Sequence, residues 1–108
     1  MGKKESDFQS DLIKELEKIF PGAIVTKLDA NHIQGIPDLL ILYGKKWATL
    51  ECKKHRKATT RPNQPYYVNL MNKMSFSRII FPENKEEVLN ELREALQPKR
   101  KTRLSKRE

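Results

Sequence analysis

Gly35-Ile36-Pro37-Asp38-Leu39-Leu40-Ile41-Leu42-Tyr43-Gly44-Lys45-Lys46-Trp47-Ala48-Thr49-Leu50-Glu51-Cys52-Lys53 is the stretch on which the reading of the fold turns. Ile36–Tyr43 is a short apolar run, and from Leu39 to Leu42 it is apolar at both parities, which predicts a strand buried on both faces. Gly44-Lys45-Lys46 is a tight reversal. Trp47–Lys53 is then the partner strand of a hairpin. Asp38 stands at the start of the first run, directly after Pro37, and Glu51 near the end of the second. Glu51 and Lys53 are two apart, so on a strand they share a face. A turn at Gly44–Lys46 sets Asp38 roughly opposite Glu51, bringing two carboxylates and one lysine to the same end of a sheet. Cys52 points to the other face, but its backbone carbonyl lies between the two and can add an oxygen ligand.

Working outward, Ser6 and Gln9 have capping-box spacing, which predicts a helix start. Phe8, Leu12, Leu16 and Ile19 then form one helical stripe that Pro21-Gly22 ends. Residues 23–28 read as a first strand and 29–35 as a polar turn. After the hairpin a loop rich in basic residues runs from Lys54 to Pro62. Asn63 caps a second helix, with Pro65 in its first turn and Tyr67, Leu70, Met71 and Met74 as its stripe. Arg78–Phe81 is a last short strand. Asn84 caps a third helix with Val88, Leu89, Leu92 and Leu96 inward, stopped by Pro98. The order α-β-β-β-α-β-α predicts an α/β fold with a mixed central sheet flanked by helices.

A length of 108 residues fits one domain, expected over 1–97, and a core that is feasible but thin. One cysteine excludes an intrachain disulfide, and with two histidines, His32 and His55, it argues against a zinc framework. No apolar run approaches the roughly 20 residues that span a bilayer, and no apolar segment follows the basic start, so neither a membrane span nor a secretory signal is expected. A reducing cytoplasm, in a bacterium or a phage-infected cell, is the natural compartment. The net charge of +8 is uneven. Residues 97–108 hold six Lys/Arg and one Glu, or +5, and the other 96 residues hold 16 against 13, or +3. The segment 98–108 reads as a basic, disordered tail, and such a balance points to a polyanion partner, most often nucleic acid.

Hydrolysis of a phosphodiester needs charge neutralised on the phosphate, a water made nucleophilic and the leaving oxygen stabilised. Magnesium takes one or two carboxylates plus water and phosphate oxygens. Asp38, Glu51 and Lys53 are the residue types this chemistry requires. The same spacing also arises by chance in a charge-rich chain, as surface ion pairs of little consequence. Both acids, however, interrupt apolar strands of one hairpin.

Gly35-Ile36-Pro37-Asp38, twelve residues, then Glu51-Cys52-Lys53 resembles the PD-(D/E)xK nuclease superfamily. Within it, the chain is similar to the virus-type replication-repair nuclease (VRR-NUC) domain and, more distantly, to archaeal Holliday-junction resolvases, over about residues 6–96. The resemblance implies a restriction-endonuclease-like αβββαβ core and an Mg2+-dependent endodeoxyribonuclease, with Mn2+ able to substitute and no small-molecule cofactor. It implies Asp38 and Glu51 as metal ligands, with the Cys52 carbonyl, and Lys53 as the group that positions the attacking water or stabilises developing charge. It matches Glu15 to a first-helix acid that helps hold a metal, and Gln64 to a glutamine at the head of the second helix. It also implies branched DNA such as a four-way junction as substrate, cut by a homodimer, in repair, recombination or phage DNA processing. Lys54, His55, Arg56, Lys57 and Arg61 follow the Glu-x-Lys strand and are expected to contact phosphates. A flap or nicking nuclease, and a non-catalytic DNA-binding module, are the alternatives. The second gains nothing from acids beside its basic loop.

Overall fold

The computed structural model describes residues 4–58 and 63–97, with the backbone alone at 63 and 64. Its elements are α1 (Glu5–Ile19), β1 (Ile24–Lys27), β2 (Leu39–Tyr43), β3 (Lys46–Cys52), α2 (Asn63–Met74), β4 (Phe76–Ile80) and α3 (Lys85–Leu96), with a 3-10 turn, Pro82–Asn84, ahead of α3. This is the expected order. The four strands form one sheet in the order β1-β2-β3-β4. β1 pairs with β2, and β2 with β3, antiparallel, while β3 pairs with β4 in parallel. A parallel pair needs a crossover, which α2 supplies. The sheet is therefore mixed and carries helices on both faces, as the pattern of elements predicts. The basic segment 98–108, expected to be disordered, lies outside the described residues.

Several boundaries move, each for a local reason. α1 begins at Glu5 rather than Ser6, because the Lys4 carbonyl accepts the Asp7 and Phe8 N–H groups at 3.1 Å and no side chain caps the helix. Glu5 and Asp7 in its first turn complement the positive end of the helix dipole. β2 begins at Leu39 rather than Ile36. Pro37 has no N–H to give a ladder, and the Asp38 carbonyl instead accepts the Leu28 N–H at 2.8 Å. Asn84 does not cap α3 with its side chain. Its Oδ1 accepts the Phe81 N–H at 2.8 Å and its Nδ2 donates to the Ile79 carbonyl at 3.0 Å, which pins the end of β4.

The core lies between the sheet and the pair α1 and α3. Phe8, Leu12, Leu16 and Phe20 meet Val88, Leu89, Leu92 and Leu96 over Leu39, Ile41, Ala48, Leu50, Cys52, Phe76 and Ile80. α2 packs on the opposite face, against β3 and β4. There the Thr49 hydroxyl donates to Ser77 Oγ at 2.8 Å and lies 3.7 Å from Met71 Sδ. This unequal covering corrects one expectation. β2 is buried on one face, not both: Leu42 is 41% exposed, and Ile24, its cross-strand partner, 60%. α2 does not extend over β1 and β2. Met74, expected in the inward stripe of α2, is also exposed, and Val68 is buried in that helix.

Candidate functional site

Register places the two hairpin acids. Leu39 pairs with Leu50, so the next position outward sets Asp38 against Glu51. The positive φ of Gly35 (89°) and the buried ring of Pro37 turn the chain into this position. One hydrogen bond ties the two strands here: Asp38 Oδ2 accepts the Cys52 N–H at 2.8 Å. Cys52 N–H points toward Asp38 while Lys53 N–H donates to the Ile80 carbonyl at 2.9 Å, on the β4 side. The alternation of the strand therefore turns the Cys52 carbonyl to the Asp38 side. The Cys52 side chain is buried in the core, and burial pushes its thiol far above the usual range, so the thiol is neither a nucleophile nor a ligand.

The electrostatics are those of acids taken out of water. Glu51 is 1% exposed, and its Oε1 is buried with no hydrogen-bond partner. Desolvation, then the charges of Asp38 and Glu5, push its carboxyl up to about 8, against the Asp38 N–H and the Lys53 charge. Asp38 is raised by desolvation, with the Cys52 N–H and Lys27 pulling the other way. Lys27 was not among the residues the sequence singles out. Its proximity follows from β1–β2 register, which pairs it with Leu39, and no local pattern in the sequence reports that pairing.

The helix acid at this site is Glu5, and Glu15 is elsewhere. Glu5 is half-buried, and its carboxyl is pushed up by desolvation and by the charge of Asp38, with Lys54 and Lys53 opposing. Glu15 lies ten residues further along α1, about 15 Å at the helical rise. Its Oε1 is 2.9 Å from Lys85 Nζ in α3. The expectation that Glu15 serves the site is corrected on that ground: its carboxylate faces α3 and the Pro82 turn. For the DNA cleavage that the sequence leads one to expect, Glu5→Gln should lower the single-turnover rate about 10- to 100-fold, the usual cost of losing a supporting group. Glu15→Gln, which breaks a part-exposed ion pair of small worth, should leave it within about twofold. A larger loss in Glu15→Gln than in Glu5→Gln would reverse the assignment.

The remaining residues divide by location. Lys53 directly follows β3, with its charge felt at both Glu51 and Glu5. Lys54, His55, Arg56 and Lys57 are exposed on the loop that continues from it. In that loop His55 Nδ1 accepts the Lys57 N–H at 3.2 Å and its carbonyl accepts the Ala58 N–H at 3.0 Å, so His55 shapes the turn. Arg61 and the Gln64 side chain lie outside the described residues.

The donors present suit a hard cation. Carboxylate and carbonyl oxygens converge on the end of the hairpin, and an unsatisfied buried Glu51 Oε1 is the kind of atom a cation would satisfy. Among the described residues, no three His, Cys, Asp or Glu side chains close into a preformed metal cage.

No family model matches the chain, and neither does any curated protein. Among solved structures, that of Archaeoglobus fulgidus Hjc, a Holliday junction resolvase from an archaeal hyperthermophile, is similar at 15% identity and a TM-score of 0.48, over 70% of this chain and 67% of that one.

Proposed function

We propose that this chain is a metal-dependent endonuclease that hydrolyses phosphodiester bonds in DNA. The observation that carries the reading is Glu51: a buried carboxylate with an unpartnered oxygen, set opposite Asp38, with Glu5 nearby and Lys53 beyond it. A purely structural role gives a protein no reason to gather three acids at the price of desolvation. A basic loop then begins at Lys54, where a phosphate backbone would have to lie.

In this reading Asp38 and Glu51, with the Cys52 carbonyl, would hold Mg2+, or Mn2+ in its place. Such an ion supplies neutralisation of phosphate charge and a more acidic water. The Cys52 N–H fixes Asp38, so this carboxylate presents its other oxygen in one orientation. The Lys53 ammonium orients the attacking water and stabilises charge that develops on the phosphoryl oxygens. The exposed cations Lys54, Arg56 and Lys57 contact the backbone on either side, with Arg61 and His55 as further members of that loop, and set the register of the strand. Gln64 is proposed as a further catalytic residue.

Branched DNA, with a four-way junction as the first choice, is the proposed substrate, and a homodimer the proposed form. Each copy would carry one site, and a two-fold pair of sites matches the two strands of a symmetric junction. The sheet face left open at Ile24 and Leu42 offers apolar surface for such a pairing. DNA processing of this kind belongs in the cytoplasm of a bacterium or an infected cell.

The test is cleavage of labelled four-way junction, flap and linear duplex with Mg2+, with Mn2+ and with a chelator. Paired metal-dependent cuts on opposite strands of the junction alone are expected. Cuts in flaps or single nicks would keep the nuclease and remove the junction preference. Tight binding with no cutting in either metal would replace the enzyme by a DNA-binding module. Deleting residues 98–108 removes six Lys/Arg and should make the salt dependence of DNA affinity shallower, by about 0.9 in log–log slope for each phosphate that is no longer neutralised. An unchanged slope would exclude the tail from binding.

A further inference from the structure

Tyr66 is 61% exposed, in the first turns of α2. Its place relative to the acids follows from the crossover. Because β3 and β4 are parallel, α2 runs back against the direction of β3. Thr49 Oγ1 against Met71 Sδ fixes the two elements at one level. One helical turn back from Met71 is Tyr67, about 6 Å away along the axis. Two residues on from Thr49 is Glu51, about 7 Å along the strand. Tyr67 therefore stands level with Glu51, and Tyr66 sits beside it on the solvent side.

The two rings meet edge to face, with centroids 5.0 Å apart and planes at 84°. Tyr67 is half-buried and so acts as a buttress. At 61% exposure, most of the Tyr66 side chain is open to solvent. An edge-to-face partner also favours some orientations of the ring over others. The exposed cations Lys54, Arg56 and Lys57 lie on the loop at this same end of the sheet. An open aromatic face next to phosphate-binding cations is the arrangement that receives an unstacked base.

We propose that Tyr66 is a stacking platform for an unpaired nucleobase, presented where a strand leaves the duplex close to the cleavage site. The proposal rests on the nuclease reading and deepens it, since a stacking platform selects DNA with exposed bases over continuous duplex. A phosphate contact would not make that distinction.

The experiment uses the full chain with Ca2+ in place of Mg2+, so that binding is measured without cutting. One probe is a branched duplex with 2-aminopurine at an unpaired position, and the other is the same sequence fully paired. Tyr66→Ala is expected to weaken binding to the branched probe about 5- to 100-fold, the effect of losing one base–aromatic stack, and to abolish quenching of 2-aminopurine. Binding to the paired probe should stay within about twofold. Tyr66→Phe, which keeps the ring, should behave as wild type. Unchanged branched binding in Tyr66→Ala overturns the proposal and leaves the nuclease reading intact. So does equal weakening on both probes, or failure of Tyr66→Phe. If the wild-type protein binds neither probe, the nucleic-acid reading fails and the proposal falls with it.

Discussion

Asp38→Asn and Glu51→Gln are each expected to abolish DNA cleavage while DNA binding persists. Each substitution keeps the side-chain shape and removes one negative oxygen from the site. The loss of rate should exceed the 10- to 100-fold typical of a supporting partner, because these groups would hold the ion themselves. Lys53→Ala should fall into the range of 100- to 1000-fold seen when a group that stabilises developing charge is removed. Affinity for uncut DNA should stay level or rise in both acid variants, because an acid close to a phosphate repels it. Single-turnover cleavage and a binding titration with Ca2+ separate the two effects. Normal cleavage in either acid variant would move the site elsewhere. Joint loss of binding and cleavage would point to a disturbed hairpin, since Asp38 also accepts the Cys52 N–H.

The metal-free protein should be destabilised as pH rises, and Glu51→Gln should remove much of that dependence. Folded Glu51 keeps its proton up to about pH 8, whereas the ordinary value is 4.5. Between those limits the folded state binds more protons than the unfolded chain. The stability associated with this group is therefore fully present below about pH 4.5 and is lost as pH climbs through about 8. At about 1.4 kcal/mol per pH unit this amounts to roughly 3–5 kcal/mol, a large share of what holds a small domain together. Glutamine carries no charge at any pH in this range. Urea denaturation with a chelator at pH 5 and pH 9 should show wild type losing stability across the interval and Glu51→Gln losing far less, so that the variant is the more stable protein at pH 9. Millimolar Mg2+ should narrow the gap by compensating the charge. A parallel decline in both proteins would show that Glu51 is already ionised and satisfied when folded.

What could be read from the sequence was what is local. The hairpin and the pairing of Asp38 with Glu51 follow from one turn and a period of two. The alternation of elements likewise implies a mixed sheet with helices on both sides. What could not be read depends on how distant segments lie against each other. The sequence reading offers Glu15 and passes over Glu5 on the same helix, and only the direction in which α1 crosses the sheet decides which of them meets Asp38. Lys27 enters through the register of β1. The exposure of Leu42 and Ile24 depends on α2 covering β3 and β4 alone, which an apolar run in β2 cannot report.

The turn between β2 and β3 has a consequence for how this molecule can change. A residue added inside either strand would swap the faces of everything beyond it and send Asp38 and Glu51 to opposite sides of the sheet. A residue added at Gly44 or Lys45 is looped out and leaves both ladders untouched. Gly44 has a φ of +62°, and nothing lies within 4 Å of where a Cβ would stand. That point is about 20 Å from Asp38, six residues of strand away. It is the natural place for evolution, or an engineer, to graft a loop, a tag or a whole second module without rewriting the chemistry at the far end.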